Sequence, residues 1–413
     1  MSSNYFNWEN KQEIIAWCII ILSSVLILSP MGSNKLLVFS GVFVVEIVLF
    51  PIILIAYSHF NSVKMGISSL FYSGQLFIVL LCTLALFFVG GISGDSITGS
   101  YSMARSMMFF FIGWWFVSVG MKVTGKHKLL YLLAIIIVLS VLSSVYYYEV
   151  DSPGIKSPYS LSVLCLLALL AVEFKNKKFL FFVIFTVGLL SVKSSFRSYW
   201  LALIFLYSGL FYTYFRDIFI LSGTRVVLNS NKILQLSALI IVCTLLSTLL
   251  ASHIYEWIAS DPSRYHQIIY KSQELFNTVI YGDTLGSSEA ERLGQLSFLL
   301  VNWGSFILPG GFQNGSSLFT MHDSSPVKDS VYMYLSVVLG MVLAIPSICY
   351  VILRLAIGYN NTIQPLRPLF LSIIFIIVII FFTQGAVLMK VSDAFYLGTL
   401  LAYLTRREGV QCN

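Results

Sequence analysis

Charge is what this chain has least of. Only 10% of its 413 residues are Asp, Glu, Lys or Arg, against about a quarter in a soluble domain, so a water-soluble globular class is excluded. Cysteine is sparse too: Cys18, Cys82, Cys165, Cys243 and Cys349 fall within apolar runs, and Cys412 lies in the tail. With none in the polar segments, no disulfide framework is available to brace them. There is no Cys/His cluster at zinc-ligand spacing, no Walker loop and no dinucleotide fingerprint, so neither a structural metal nor ATP is expected to act through this chain. Internal repeats and low-complexity tracts are also missing, and nothing in the pattern points to nucleic acid.

What fills the space is apolar. Hydrophobic residues make up 58% of the chain, and the mean hydropathy is +0.87, which defines a polytopic membrane protein. Runs of the length that crosses a bilayer, roughly 17–25 residues, are expected near 13–29, 37–57, 68–90, 105–121, 129–148, 158–174, 179–195, 198–214, 233–252, 331–353, 368–388 and 394–405. The stretch from Ile14 to Leu28 is the first of these spans rather than a cleaved signal, because Ser29-Pro30-Met31-Gly32 is a poor cleavage site and many spans follow. Ser194 to Ser198 joins its two spans so tightly that they must form a helical hairpin.

Lysine and arginine set the orientation. With the amino terminus cytoplasmic, most of the 25 basic residues, from Lys11 to Arg407, fall on inward segments, and the formal net charge of +7 reflects that rim. Both termini are then inside. The expected architecture is an all-α polytopic membrane protein of about 12 transmembrane helices: 1–252 holding the first nine, 253–330 forming one large outer loop, and 331–413 holding the last three and a cytoplasmic tail.

Polar side chains that handle a hydrophilic substrate must gather where the chain leaves the lipid, and the large loop is the one extensive place of that kind. Asp261-Pro262 signals a helix start, after which Tyr265, Ile268, Ile269 and Phe276 recur at helical spacing. Ser288 and Glu291 have the spacing of a capping box, with Leu293, Leu296, Leu300 and Trp303 continuing an apolar face. Pro309-Gly310-Gly311-Phe312 ends that helix, and a polar stretch leads through His322, Asp323 and Asp329 to the next span.

The string SSEAERLGQLSFLLVNWGSFILPGGFQNG, then His322 and KDSVYMYLSVVLGMVLAIP, resembles the large loop and following span of the O-antigen polymerase and O-antigen ligase superfamily. Arg197 in SSFRSYWLAL is similar to the Ser-x-Arg element that family members carry between two closely joined spans before that loop. The likeness covers roughly Ser194 to Pro346. It implies a GT-C-like bacterial inner-membrane glycosyltransferase that needs no metal or cofactor and works at the periplasmic face. Its donor would be an undecaprenyl-diphosphate-linked glycan, its acceptor a second lipid-linked repeat unit, and its further partners membrane lipids and a chain-length regulator protein.

On that resemblance Arg197 and Arg292 bind the diphosphate, a task that suits the planar, always-charged guanidinium; Arg264, in the first outer helix, is a weaker candidate for a third contact, with lipid headgroups as its readier partner. Competing structural roles are interfacial anchoring for Arg197 and an i, i+3 pair with Glu289 for Arg292. His322, Asp329 and Asp323 remain open as the group that takes the acceptor proton. Tyr332 follows His322 by ten positions with Asp329 between them, a departure from the ligase pattern that favours polymerase. Tyr332, Trp303 and Tyr265 are expected to position substrate, and no residue is expected to hold a metal. Arg105 opens a span, and Glu46 is an acid deep within one, each more readily structural than functional. Arg197 and Gly209 have the same spacing as Arg292 and Gly304. Ligase activity is the alternative, and a lipid-linked sugar transporter or flippase is the second, for which paired charges and broken helices near the midplane would be the mark.

Overall fold

Long runs of Leu, Ile, Val and Phe with few charges satisfy their backbone most economically as helices, which close every hydrogen bond within one segment. The computed structural model describes residues 18, 21–22, 38–39, 42–43, 82–89, 104–114, 116–117, 129–140, 161–173, 197–215, 219–222, 225–228, 255–256, 259–260, 262–270, 273, 297, 300–301, 303–310, 331–362, 364–383 and 391–405. Among these, the packed body is helical: α1 (82–89), α2 (104–114), α3 (Leu129–Ser140), α4 (Leu161–Glu173), α5 (Arg197–Phe215), α6 (Val331–Asn361), α7 (Arg367–Thr383) and α8 (Val391–Leu404). Each lies within or across an expected apolar run. One stretch, Tyr334–Asn361, is both long and apolar enough to cross a membrane; α3, α4, α7, α8 and the Leu201–Thr213 part of α5 are shorter apolar helices.

At the centre stands α4, whose residues from Leu161 to Ala171 are all buried. Around it pack α5, α7 and α8. At its end, Tyr403 of α8 donates a hydrogen bond to the Glu173 carboxylate. Close crossings depend on small residues, as in membrane bundles generally. A β-carbon at Gly209 of α5 would come within 2.5 Å of the Ser372 hydroxyl and 3.0 Å of the Leu369 Cα on α7, and Phe205 stacks on Phe375 nearby at 5.3 Å. Gly113 of α2 and Gly398 of α8 bring those two helices backbone to backbone, with the Phe110 carbonyl facing Gly398. Hydroxyls in the apolar helices fold back onto their own chain: Thr213 bonds the Gly209 carbonyl, Ser372 that of Pro368 and Thr405 that of Leu401.

The outward faces are apolar too. Along α7, Leu371, Phe375, Val378 and Phe382 stand 44–50% exposed while Leu369, Ile373, Ile376 and Ile380 are at most 1% exposed. Tyr131, Ile135 and Leu139 form a similar exposed row on α3, and Leu201, Ile204, Phe211 and Tyr212 do so on α5. Leaving such side chains in water forgoes about 1.5–3 kcal/mol each. These are rows at helical spacing, not the scattered apolar residues found on any protein surface.

Three expectations need correction. The described body is helical as expected, but the start of the expected 37–57 span is not helix: β1 (Val38–Phe39) and β2 (Val42–Phe43) form a short antiparallel hairpin there. A second hairpin, β3 (Phe219–Ser222) with β4 (Arg225–Leu228), follows α5. Both pair β-branched or aromatic residues across a two-residue connection containing glycine, Ser40-Gly41 and Gly223-Thr224, which competes locally with helix. The helix expected over 331–353 continues to Asn361, because Pro346 and Arg354 are both accommodated within it. The turn after Asp261-Pro262 is not one regular helix either: Pro262–Tyr265 is a single α turn that widens into a π turn over His266–Tyr270. The expected spans 179–195 and 233–252 lie outside the described residues, as does Glu46.

Replacing Gly398 by valine is expected to drive α2 off α8 and lower stability by about 1–3 kcal/mol, the range for overpacking. Gly304, with open space around it, should accept alanine without measurable change. Thermal unfolding of the two purified variants beside the parent checks both.

Candidate functional site

The one break inside the long helix α6 is at Gly340, which takes φ 65° and ψ 161°, a conformation that a side chain makes costly. A break frees amides and carbonyls that an unbroken helix would pair. Here the segment 303–310 takes up two of them. The Val342 amide donates to the Ile307 carbonyl at 3.3 Å, and the Gly310 amide donates to the Val337 carbonyl at 3.0 Å. Pro309, between those two contacts, has no amide to place. A β-carbon on residue 340 would fall 2.6 Å from the Leu308 oxygen and 2.7 Å from that of Ile307, so the approach requires glycine there.

A 3-10 turn, Trp303–Phe306, leads into this docked segment. Phe306, 3% exposed, is its buried anchor, whereas Trp303 stands 58% exposed at the other end of the turn. That differs from the expected continuous apolar face, since Leu300 and Trp303 are both open and burial passes to Phe306.

The break also redirects the helix. Tyr332 packs against Phe381 and Phe382 with ring centres 6.2 and 5.6 Å away, and Tyr359 packs against Phe370 at 6.0 Å. The kink at Gly340 lies between these two contacts and divides α6 into a leading half, 331–339, and a trailing half. The leading half is the buried one: Val331, Tyr334, Val337 and Val338 all lie in the core. The trailing half presents Val342, Leu343, Ile345, Ile352 and Leu353 outward.

The expected site residues distribute as follows. Arg197 is the first residue of α5. Arg264 lies in the Pro262–Tyr265 turn, and Tyr265 beside it is exposed, as are Tyr270 and His266, whose rings stack at 5.0 Å. Trp303 is open to its surroundings. Tyr332, expected to position substrate, is buried against α7, so its ring supports the half-helix. Arg292, His322, Asp323 and Asp329 lie outside the described residues. The structure thus joins the Trp303 turn to the half-helix that Tyr332 opens, and Arg197 and Arg264 stand on other elements. Gly209 and Gly304, equally spaced from their arginines, differ in kind: the first is a tight helix crossing and the second faces open space.

Sequence reasoning missed Gly340 and Phe306, and read Gly310 only as part of the turn that ends a helix. The signal was present as Pro309-Gly310-Gly311 ahead of a span with an internal glycine. Buried polar groups also line the interior, including Arg105 and Ser106 on α2, and Tyr396 on α8 with Ser140 of α3 beside it. Among the described residues no group of His, Cys, Asp and Glu could hold a metal ion. Comparison with known proteins finds no family model, no curated protein and no solved structure that matches this chain.

Gly340→Ala and Gly310→Pro should each undock the segment, the first by collision and strain and the second by deleting a donor. Limited proteolysis is expected to cut between Trp303 and Gly310 several-fold faster in both variants than in the parent, whereas an equal rate would mean that the docking does not hold the segment.

Proposed function

We propose that the chain is a multi-pass protein of a bacterial inner membrane, with about twelve spans and both termini cytoplasmic. At its periplasmic face it polymerises undecaprenyl-diphosphate-linked oligosaccharide units into O-antigen or a related surface polysaccharide. One observation carries the reading. The two strings on which the superfamily resemblance rests, Ser287 to Gly315 and Lys328 to Pro346, are separated by twelve residues in sequence and meet through Ile307, Gly310, Val337 and Val342. Support for the membrane setting comes from the exposed apolar rows on α3, α5 and α7, which suit lipid and not water.

In this reading Arg197 and Arg292 hold the donor's diphosphate, with Arg264 as a further contact, and oppose the charge that builds as the anomeric bond breaks. Fixing donor and acceptor together supplies much of the rate. A base among His322, Asp329 and Asp323 takes the proton from the acceptor hydroxyl as its oxygen bonds to the anomeric carbon, and the polyprenyl diphosphate leaves. Exposed aromatics such as Trp303 and Tyr265 offer flat faces for sugar rings.

The break at Gly340 favours a second reading, a transporter or flippase for a lipid-linked sugar, since discontinuous helices frame substrate sites in such proteins. Against it, two of the backbone groups at the break, the Val342 amide and the Val337 carbonyl, are taken by the protein's own segment.

Arg197→Ala and Arg292→Ala should each abolish the polymer ladder with protein level unchanged, and His322→Ala should reduce it partly. Loss of the gene product is expected to leave a single repeat unit on the lipid core. A bare core with unattached long polymer would instead identify a ligase, and normal ladders in both arginine variants would sink the reading.

A further inference from the structure

An apolar run too short to span a bilayer belongs either in a protein core or at the membrane surface, and exposure tells the two apart. From Leu293 to His322 the chain holds no Asp, Glu, Lys or Arg, and the apolar residues of that stretch crowd between Leu296 and Leu308. Even as unbroken helix the crowded part would reach about 20 Å, short of a hydrocarbon core about 30 Å thick. Among its described residues only Phe306 is buried. Leu300, Val301, Trp303 and Leu308 stand 63%, 79%, 58% and 74% exposed, more than the outward row of α7 at 44–50%. That excludes the core and leaves the membrane surface.

The exposed residues also continue a face of α6. The Ile307 carbonyl accepts from the Val342 amide, and the Leu308 backbone lies against Gly340. Leu308 therefore adjoins the start of the trailing half, which presents Val342, Leu343 and Ile345 outward. Backbone that enters an apolar surrounding must have its polar groups bonded within the protein. Where the segment meets the helix this holds: the Ile307 carbonyl and the Gly310 amide are bonded to α6, and Pro309 has no amide to satisfy. A tryptophan beside such residues suits the headgroup level, where one side of the ring is apolar and the other wet.

We propose that the segment 300–308 is an interfacial membrane anchor. Leu300, Val301 and Leu308 enter the neighbouring leaflet among phospholipid acyl chains, and the Trp303 ring stands at headgroup level. Contact with lipid then holds one side of the segment while Phe306 and α6 hold the other, which fixes the end of the large loop against the bilayer. The proposal rests on the membrane setting given above, but not on glycosyl transfer.

Spin labels on single cysteines test it, placed by Val301→Cys, Leu308→Cys and Ile352→Cys in the full chain with its six native cysteines replaced. The labelled proteins are reconstituted into nanodiscs of phosphatidylcholine and phosphatidylglycerol. Collisions with oxygen, which concentrates in lipid, are compared with collisions with a water-soluble nickel chelate. Ile352, exposed on the trailing half of α6, is the reference for lipid contact. Oxygen should dominate several-fold at all three positions. Nickel preference at Val301 or Leu308, with oxygen preference kept at Ile352, would overturn the proposal and leave the membrane setting standing. Low access to both reagents at Val301 and Leu308 would mean that protein, such as a second copy of the chain, covers them, and would overturn it as well. Nickel preference at all three positions would remove the membrane setting itself.

Discussion

Backbone groups that cannot reach water must be bonded inside the protein, and the arrangement around Gly340 follows from that constraint. A helix interrupted among apolar side chains is tolerable only if another segment supplies the missing donors and acceptors. Ile307 and Gly310 do so. Glycine at 340 lets the segment approach, Phe306 buries its base, and the leading half of α6 places Tyr334, Val337 and Val338 in the core. Removing any of these leaves polar backbone without a partner, at about 1–3 kcal/mol per group.

A second consequence concerns the outside of the bundle. Helices α3, α5 and α7 each have one apolar row packed inward and another facing out. Only the inward rows can be explained by packing of the chain on itself. The outward rows are compatible with an apolar surrounding, with which the small number of charges and the hydroxyls of Thr213, Ser372 and Thr405 turned back to their own carbonyls also agree.

Much of the helical body was legible in the sequence because apolar run length is a direct physical signal. The runs at 158–174, 198–214, 368–388 and 394–405 correspond to α4, α5, α7 and α8 within a few residues. Other features were hidden because their causes are tertiary. Gly340 sits between Leu339 and Met341 like any tolerated glycine in an apolar helix, and nothing local tells that a loop segment will claim its neighbours' hydrogen bonds. Trp303 and Leu300 have the spacing of a buried face, yet the buried residue is Phe306, because the chain tightens into a 3-10 turn just there. Tyr332 read as a substrate contact by its place in a motif, and its burial against Phe381 and Phe382 is a packing contact with α7 that no periodicity announces. The hairpins at Val38–Phe43 and Phe219–Leu228 arise where short β-forming runs meet across a glycine-bearing pair, too brief to disturb a hydropathy profile. For the candidate site, the sequence pointed to the segment before α6, but not to the contact that anchors it there.

The central claim is that the loop ending at Gly310 faces the periplasm and is docked there on the broken helix. Its most direct test is a single cysteine at Trp303 in a chain whose six native cysteines are replaced, challenged with a membrane-impermeant maleimide. Labelling in intact cells with a permeabilised outer membrane is the result predicted. Labelling that appears only after the inner membrane is broken would contradict the account.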